Sequence, residues 1–157
     1  AEMAPVEVTL RRELATAAAS AYDFFSQPKA LTLVGSALEV QALPLPPSAK
    51  GLQRQLLKIK DKVDLCCGCF YVINQEAEQT LDPGKLEIQF YSDTAGVAVR
   101  HTYAFTAVDA GRSLVTDTGV ILKSLPCLGF YVERTAFASW NRTLDNLVDW
   151  FNAGGRE

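Results

Sequence analysis

One histidine, His101, stands in this sequence, and Tyr103 follows it two places later. In an extended segment residues two apart share a face, so this pair points the same way as Val99 and Phe105. An imidazole exchanges a proton near neutral pH, and a phenol both donates and accepts a hydrogen bond. Together they can hold a ligand carbonyl or hydroxyl, or supply a general base to a substrate within reach. The same residues also suit a wall: a buried histidine with a structural partner, beside a packed tyrosine. Glu133 is the third candidate. At 100° per residue it falls on the apolar arc of the last long segment, in line with Trp140, Leu144 and Phe151. A carboxylate there is a candidate acid, base or ligand anchor. The competing reading starts the helix late, so that Glu133 sits in its first turn, faces solvent and favours the dipole.

The cysteines invite a metal and then argue against one. Cys66 and Cys69 have the spacing of a zinc half-site, but a second ligand pair is missing. In an extended run Cys67 and Cys69 share a face and Cys66 points away. Three thiols crowded into one strand, with Cys127 far along the chain, cannot staple one another. We therefore expect no metal, no cofactor, and reduced thiols in an intracellular setting, cytoplasmic or organellar. The opening Ala1 without a methionine fits removal of a leader. No phosphate loop, dinucleotide fingerprint, nucleophile elbow or zincin motif occurs.

The elements that would position these side chains are legible from periodicity. Residues 130–151 place Val132, Ala136, Phe137, Trp140, Leu144 and Leu147 in one arc of roughly 160°. A helix this one-sided must lie across something broad and apolar. Residues 36–122 read as six consecutive strands, with turns at Asp82-Pro83-Gly84, at 92–96 and at Asp109-Ala110-Gly111. Before them come a strand over 5–10, a helix over 16–25 capped by Thr16, and a short helix over 29–34 ended by Gly35. Within the strands, Arg54, Lys58 and Lys60 share a solvated face, and Gln53 and Gln55 point the other way. On the last strand Thr116 and Thr118 are expected inward with Leu114, Val120 and Leu122, where they can meet a ligand hydroxyl or carbonyl.

The chain has 157 residues, 48% of them hydrophobic and 21% charged, so we expect one domain over 1–157 with a sizeable core. Its net charge of −3 argues against nucleic acid as a partner. No apolar run approaches the roughly 20 residues of a membrane helix, which leaves only transient membrane contact.

The order strand, two helices, six strands, long helix resembles the helix-grip fold of the START-like (SRPBCC) superfamily. That group includes polyketide cyclases, coenzyme Q-binding proteins and Bet v 1-like proteins. The residues that carry the likeness are 18–31, Ala-Ala-Ser-Ala-Tyr-Asp-Phe-Phe-Ser-Gln-Pro-Lys-Ala-Leu, and the closing segment 134–151. No subfamily is identified. The resemblance implies an α+β fold, with a curved antiparallel sheet of about seven strands wrapped around the C-terminal helix. It also implies a cavity for a hydrophobic small molecule such as a lipid, sterol, isoprenoid, pigment or polyketide. The wall would include Val99, His101, Tyr103, Phe105, Thr116, Thr118, Glu133, Phe137, Trp140 and Leu144. Two alternatives stay open. One is a cyclase or hydrolase in which His101, Tyr103 and Glu133 converge on the substrate. The other is a protein-interaction or assembly module whose cavity is filled by Phe90, Phe105, Phe130, Phe137 and Trp140.

Overall fold

The structure, a computed structural model, describes residues 5–64 and 68–155. Strand β1 (Val6–Leu14) leads into helices α1 (Ala18–Phe25) and α2 (Ala30–Leu33). Strands β2 (Ala37–Leu45), β3 (Gln53–Asp64), β4 (Phe70–Asp82), β5 (Glu87–Thr94), β6 (Val97–Asp109) and β7 (Arg112–Lys123) follow, and α3 (Gly129–Asn152) closes the chain. The sheet runs β1-β7-β6-β5-β4-β3-β2, and every neighbouring pair is antiparallel. The meander β2 to β7 is thus completed by β1 on its far edge. Because α3 follows β7, it begins at the same end of the sheet as β6, and the two run in the same direction.

Local chemistry accounts for most boundaries. Helix α1 buries Ala18, Ala21, Tyr22 and Phe25 on one side. Thr16 does not cap it. Ala17 takes that position without a side-chain bond, and its carbonyl accepts from the Ala21 amide at 3.0 Å, so the first turn forms one residue later. After α2, a Cβ on Gly35 would stand 2.6 Å from the Leu31 carbonyl oxygen, so only glycine lets the chain leave the helix here. Pro44 lies within β2 rather than in a loop, which an edge strand tolerates because its outward amide needs no partner. A bulge between Ala37 and Glu39 leaves Leu38 unpaired and exposed, while Val40 keeps its inward place opposite Ile59.

The strand expected to carry the three crowded thiols begins at Phe70, after them. Gly68 takes a left-handed φ of 76° and interrupts the extended run, leaving Cys69 exposed. Cys66 and Cys67 lie outside the described residues, so the face on which each thiol was expected is not assigned. Among the described residues no helix is long and apolar enough to cross a membrane.

The core sits beneath α1. Phe25 packs between Tyr103 and Phe105, with ring centroids 4.7 and 6.2 Å away, and meets Phe90 edge-on at 6.1 Å. Tyr22 adds an edge contact to Phe105. These rings form the centre of the buried cluster inside the sheet. Helix α3 contributes Trp140, Leu144 and Leu147, all from its middle onward. That part is also fastened by polar contacts. Arg12 donates to Asp145 and Asn141, both at 2.9 Å, Arg142 pairs with Asp64 at 3.0 Å, and Asn146 donates to the Val34 carbonyl at 3.0 Å. The first half of α3 has no such fasteners among the described residues. Its Val132, Ala136 and Phe137 remain partly exposed, and Phe130, expected as a cavity filler, is 78% exposed.

Candidate functional site

The site is set by the register of β6 against β7. Residues directly opposite in an antiparallel pair share a face. His101 lies opposite Gly119, Tyr103 opposite Asp117, and Phe105 opposite Val115. All six face inward, where Tyr103, Phe105, Val115 and Asp117 are buried. Val99, opposite Ile121, faces the same way but stays partly open. On the next pair of strands Phe90 and Gln79 continue this inner face, and beyond them Gln55, as its alternation requires.

Thr116 and Thr118 sit on the outer face, opposite Ala104 and Thr102, and cannot meet a ligand inside the sheet. The cause is one residue. A regular two-residue hairpin would continue the Asp109–Arg112 pairing and put Tyr103 opposite Thr118. A bulge between Ala107 and Asp109 shifts the register and brings Asp117 inward instead.

Asp117 is the partner that His101 lacked in the sequence. The His101 Nδ1 atom lies 2.9 Å from Asp117 Oδ1, and Asp117 is 1% exposed. An ionised carboxylate only accepts, so opposite one Nδ1 carries the hydrogen, and a neutral imidazole in that arrangement presents a lone pair at Nε2. The imidazole stacks on Tyr103 at 5.6 Å, and its other contact is Trp140, edge-on at 4.3 Å. Gly119 makes room for that indole: a Cβ there would lie 2.6 Å from Trp140 Cζ3. Phe137 leans on Trp140 at 5.4 Å, one turn nearer the open end of α3.

Burial pushes the Tyr103 phenol well above its ordinary pKa. The neighbouring Asp117 raises it further, through its charge and through its pull on the phenolic proton. No hydrogen bond of good geometry closes between the two, so Asp117 Oδ2 is buried without a partner among the described residues. Ser113 Oγ, one inward step past Val115, is orphaned in the same way.

Glu133 does not converge with His101 and Tyr103. It lies in the second turn of α3, half-buried, and bonds to neither. Seven residues separate it from Trp140, about 10 Å along the helix. Phe105 and Leu144 are packed into the core with no face left for a ligand. The residues brought together are therefore Val99, His101, Tyr103, Phe137 and Trp140, with Asp117 and Gly119 added. The last two escaped the sequence because the opposite face of β7, with Leu114, Val120 and Leu122, is the more apolar one, so alternation turns Thr116 and Thr118 inward instead. No signal in the sequence marks the bulge between Ala107 and Asp109 that reverses this choice. Two concavities lie outside this set of residues: a pocket of about 120 Å³ between α2, the end of β3 and the middle of α3, and an open cleft of about 460 Å³ between α1 and the β2–β3 loop.

Comparison by sequence returns no matching family model and no matching curated protein. Comparison by structure returns many. The Zhui aromatase/cyclase of a Streptomyces species superposes with a TM-score of 0.68 at 15% identity, over 98% of this chain and 100% of that one. A START superfamily protein of Mycobacterium smegmatis gives 0.69 at 12% identity, over 94% and 97%. Norcoclaurine synthase of Thalictrum flavum, in complex with a transition-state analogue, gives 0.68 at 12% identity, over 98% of each. With its seven-stranded antiparallel sheet and long closing helix, the chain has the helix-grip fold of the START-like superfamily.

Proposed function

We propose that the protein binds a hydrophobic small molecule in the groove between the inner face of the sheet and the first half of α3. The carrying observation is the row of partly exposed inward residues, Val99, Val132, Ala136 and Phe137, that leads to His101. Ligand sites are mostly apolar with a few placed polar groups. Here the apolar length is the groove, and the polar end is the imidazole held by Asp117. The fold-mates that act on or bind small organic molecules support the reading without fixing the ligand.

Native mass spectrometry of protein from its source, followed by denaturing extraction, tests this. A discrete hydrophobic species is expected, and Ala136→Trp should lower its occupancy about tenfold by filling the groove. A clean apo mass with no uptake from a lipid and metabolite extract sinks the reading. It would favour an interaction module instead, for which exposed Leu128, Phe130 and Tyr131 supply a patch.

One observation favours an enzymatic second reading. A carboxylate that fixes the tautomer of a histidine is how a general base is prepared. In this reading His101 is the base and Asp117 positions it, in place of the expected Glu133. Extract components that change mass on incubation with the protein, but not with His101→Asn, would establish it.

A further inference from the structure

We infer that the groove selects apolar molecules ending in an uncharged hydrogen-bond donor, an alcohol or a phenol, and rejects those ending in a carboxylate. The inference rests on the ligand-binding reading above. It comes from the sign of every charge that faces the groove.

Apart from Arg12, whose guanidinium is held by Asp145 and Asn141, the inward charges are carboxylates. Asp117 is buried behind His101 with one oxygen unpartnered. Glu133 lies on the α3 face that carries Phe137 and Trp140, without an ion pair among the described residues. Asp61 faces in from β3, opposite Ile73, and its oxygens take bonds from Ser36 and Gln75. The cations at this end are committed elsewhere. Arg12 is held by Asp145 and Asn141, Arg142 is held by Asp64, and the Lys62 ammonium stands over the Phe70 ring at 4.4 Å. Arg100, Lys123 and Arg134 are exposed. No described basic side chain is left to receive an anion beside His101.

The polar contact on offer has the complementary sign. Asp117 accepts the Nδ1 hydrogen, so the remaining Nε2 of a neutral imidazole can only accept. A ligand hydroxyl can donate to it. A ligand carboxylate brings no hydrogen, and it enters a poorly hydrated space already holding negative charge, where like charges repel far more strongly than in water.

Calorimetric titration with matched pairs tests this: 2-naphthol against 2-naphthoic acid, and decanol against decanoic acid. At about pH 8 both acids are ionised. The alcohols should bind, and the acids should bind at least about tenfold more weakly. Glu133→Gln, at a half-exposed position that does not threaten folding, should narrow the gap, and Asp117→Asn should narrow it further. Acids that bind as well as alcohols overturn the selectivity while leaving the groove intact. A gap that neither variant changes also overturns it, because these charges would not be its cause. Binding of neither class sinks the groove reading and this inference together.

Discussion

Gly119 and Trp140 form the contact on which the site geometry depends most directly. The indole occupies the place where any side chain at 119 would begin, and it holds His101 from one side while Asp117 holds it from another. Gly119→Ala should therefore cost about 1–3 kcal/mol through overpacking, read as a lower urea midpoint. Shrinking the partner in Gly119→Ala/Trp140→Leu should recover part of the Gly119→Ala loss relative to Trp140→Leu alone. Additive losses would mean that the two positions do not meet. Tyr103 gives a pH signature. Its raised pKa means that the unfolded chain releases this proton first, so the stability it contributes is intact below about pH 10 and is lost as pH climbs through the folded value. Denaturant titrations from about pH 8 to about pH 11 should show Tyr103→Phe losing stability less steeply than the parent chain. Tyr22 shifts in the same direction, so part of the slope should remain. At this scale the sequence was half legible. Alternation on β6 placed His101 and Tyr103 inward as the structure does, whereas Asp117 was hidden because the other face of β7 is the more apolar and a bulge reverses the phase.

Helix α3 is one element with two mechanical halves. From Trp140 onward it buries three large side chains and carries its polar fasteners to β1, β3 and α2. Before Trp140 it buries little beyond Gly129. Amide hydrogen exchange should follow this division: residues 130–138 should exchange through local opening well below the global free energy, and residues 141–150 close to it. Uniform protection along the helix would show that the first half is held by something not apparent in its packing. Such looseness suits a wall that must move aside to admit a ligand. The helix was the most legible element, because so many apolar residues on one arc leave no other solution. Its ends and its fasteners were not legible, since they depend on what β1 and β3 present from more than 70 positions away. Strand β7 shows the opposite case. Its existence was plain, but its phase was set by a bulge at the hairpin before it.

At the scale of the whole molecule the sheet holds two unlike interiors. One end is filled by rings from α1 and the middle strands. The other lies under the loose half of α3 and is lined by partly exposed apolar residues and inward carboxylates. The α+β order was readable because six strand periods and one long helical period follow each other without interruption. Whether the space inside would be full or open was not readable. That depends on where Phe25, Phe90 and Phe105 meet, which no local pattern encodes. The two tryptophans lie on either side of this division. Trp140 touches the imidazole of the site, whereas Trp150 is stacked on Phe24 at 4.9 Å near the far end of the same helix. The protein thus carries two built-in optical probes. On the proposed reading the Trp140 emission should change when the site is occupied, and the Trp150 emission should change when the chain unfolds. A pair of single-tryptophan variants could follow binding and folding separately, without any attached dye.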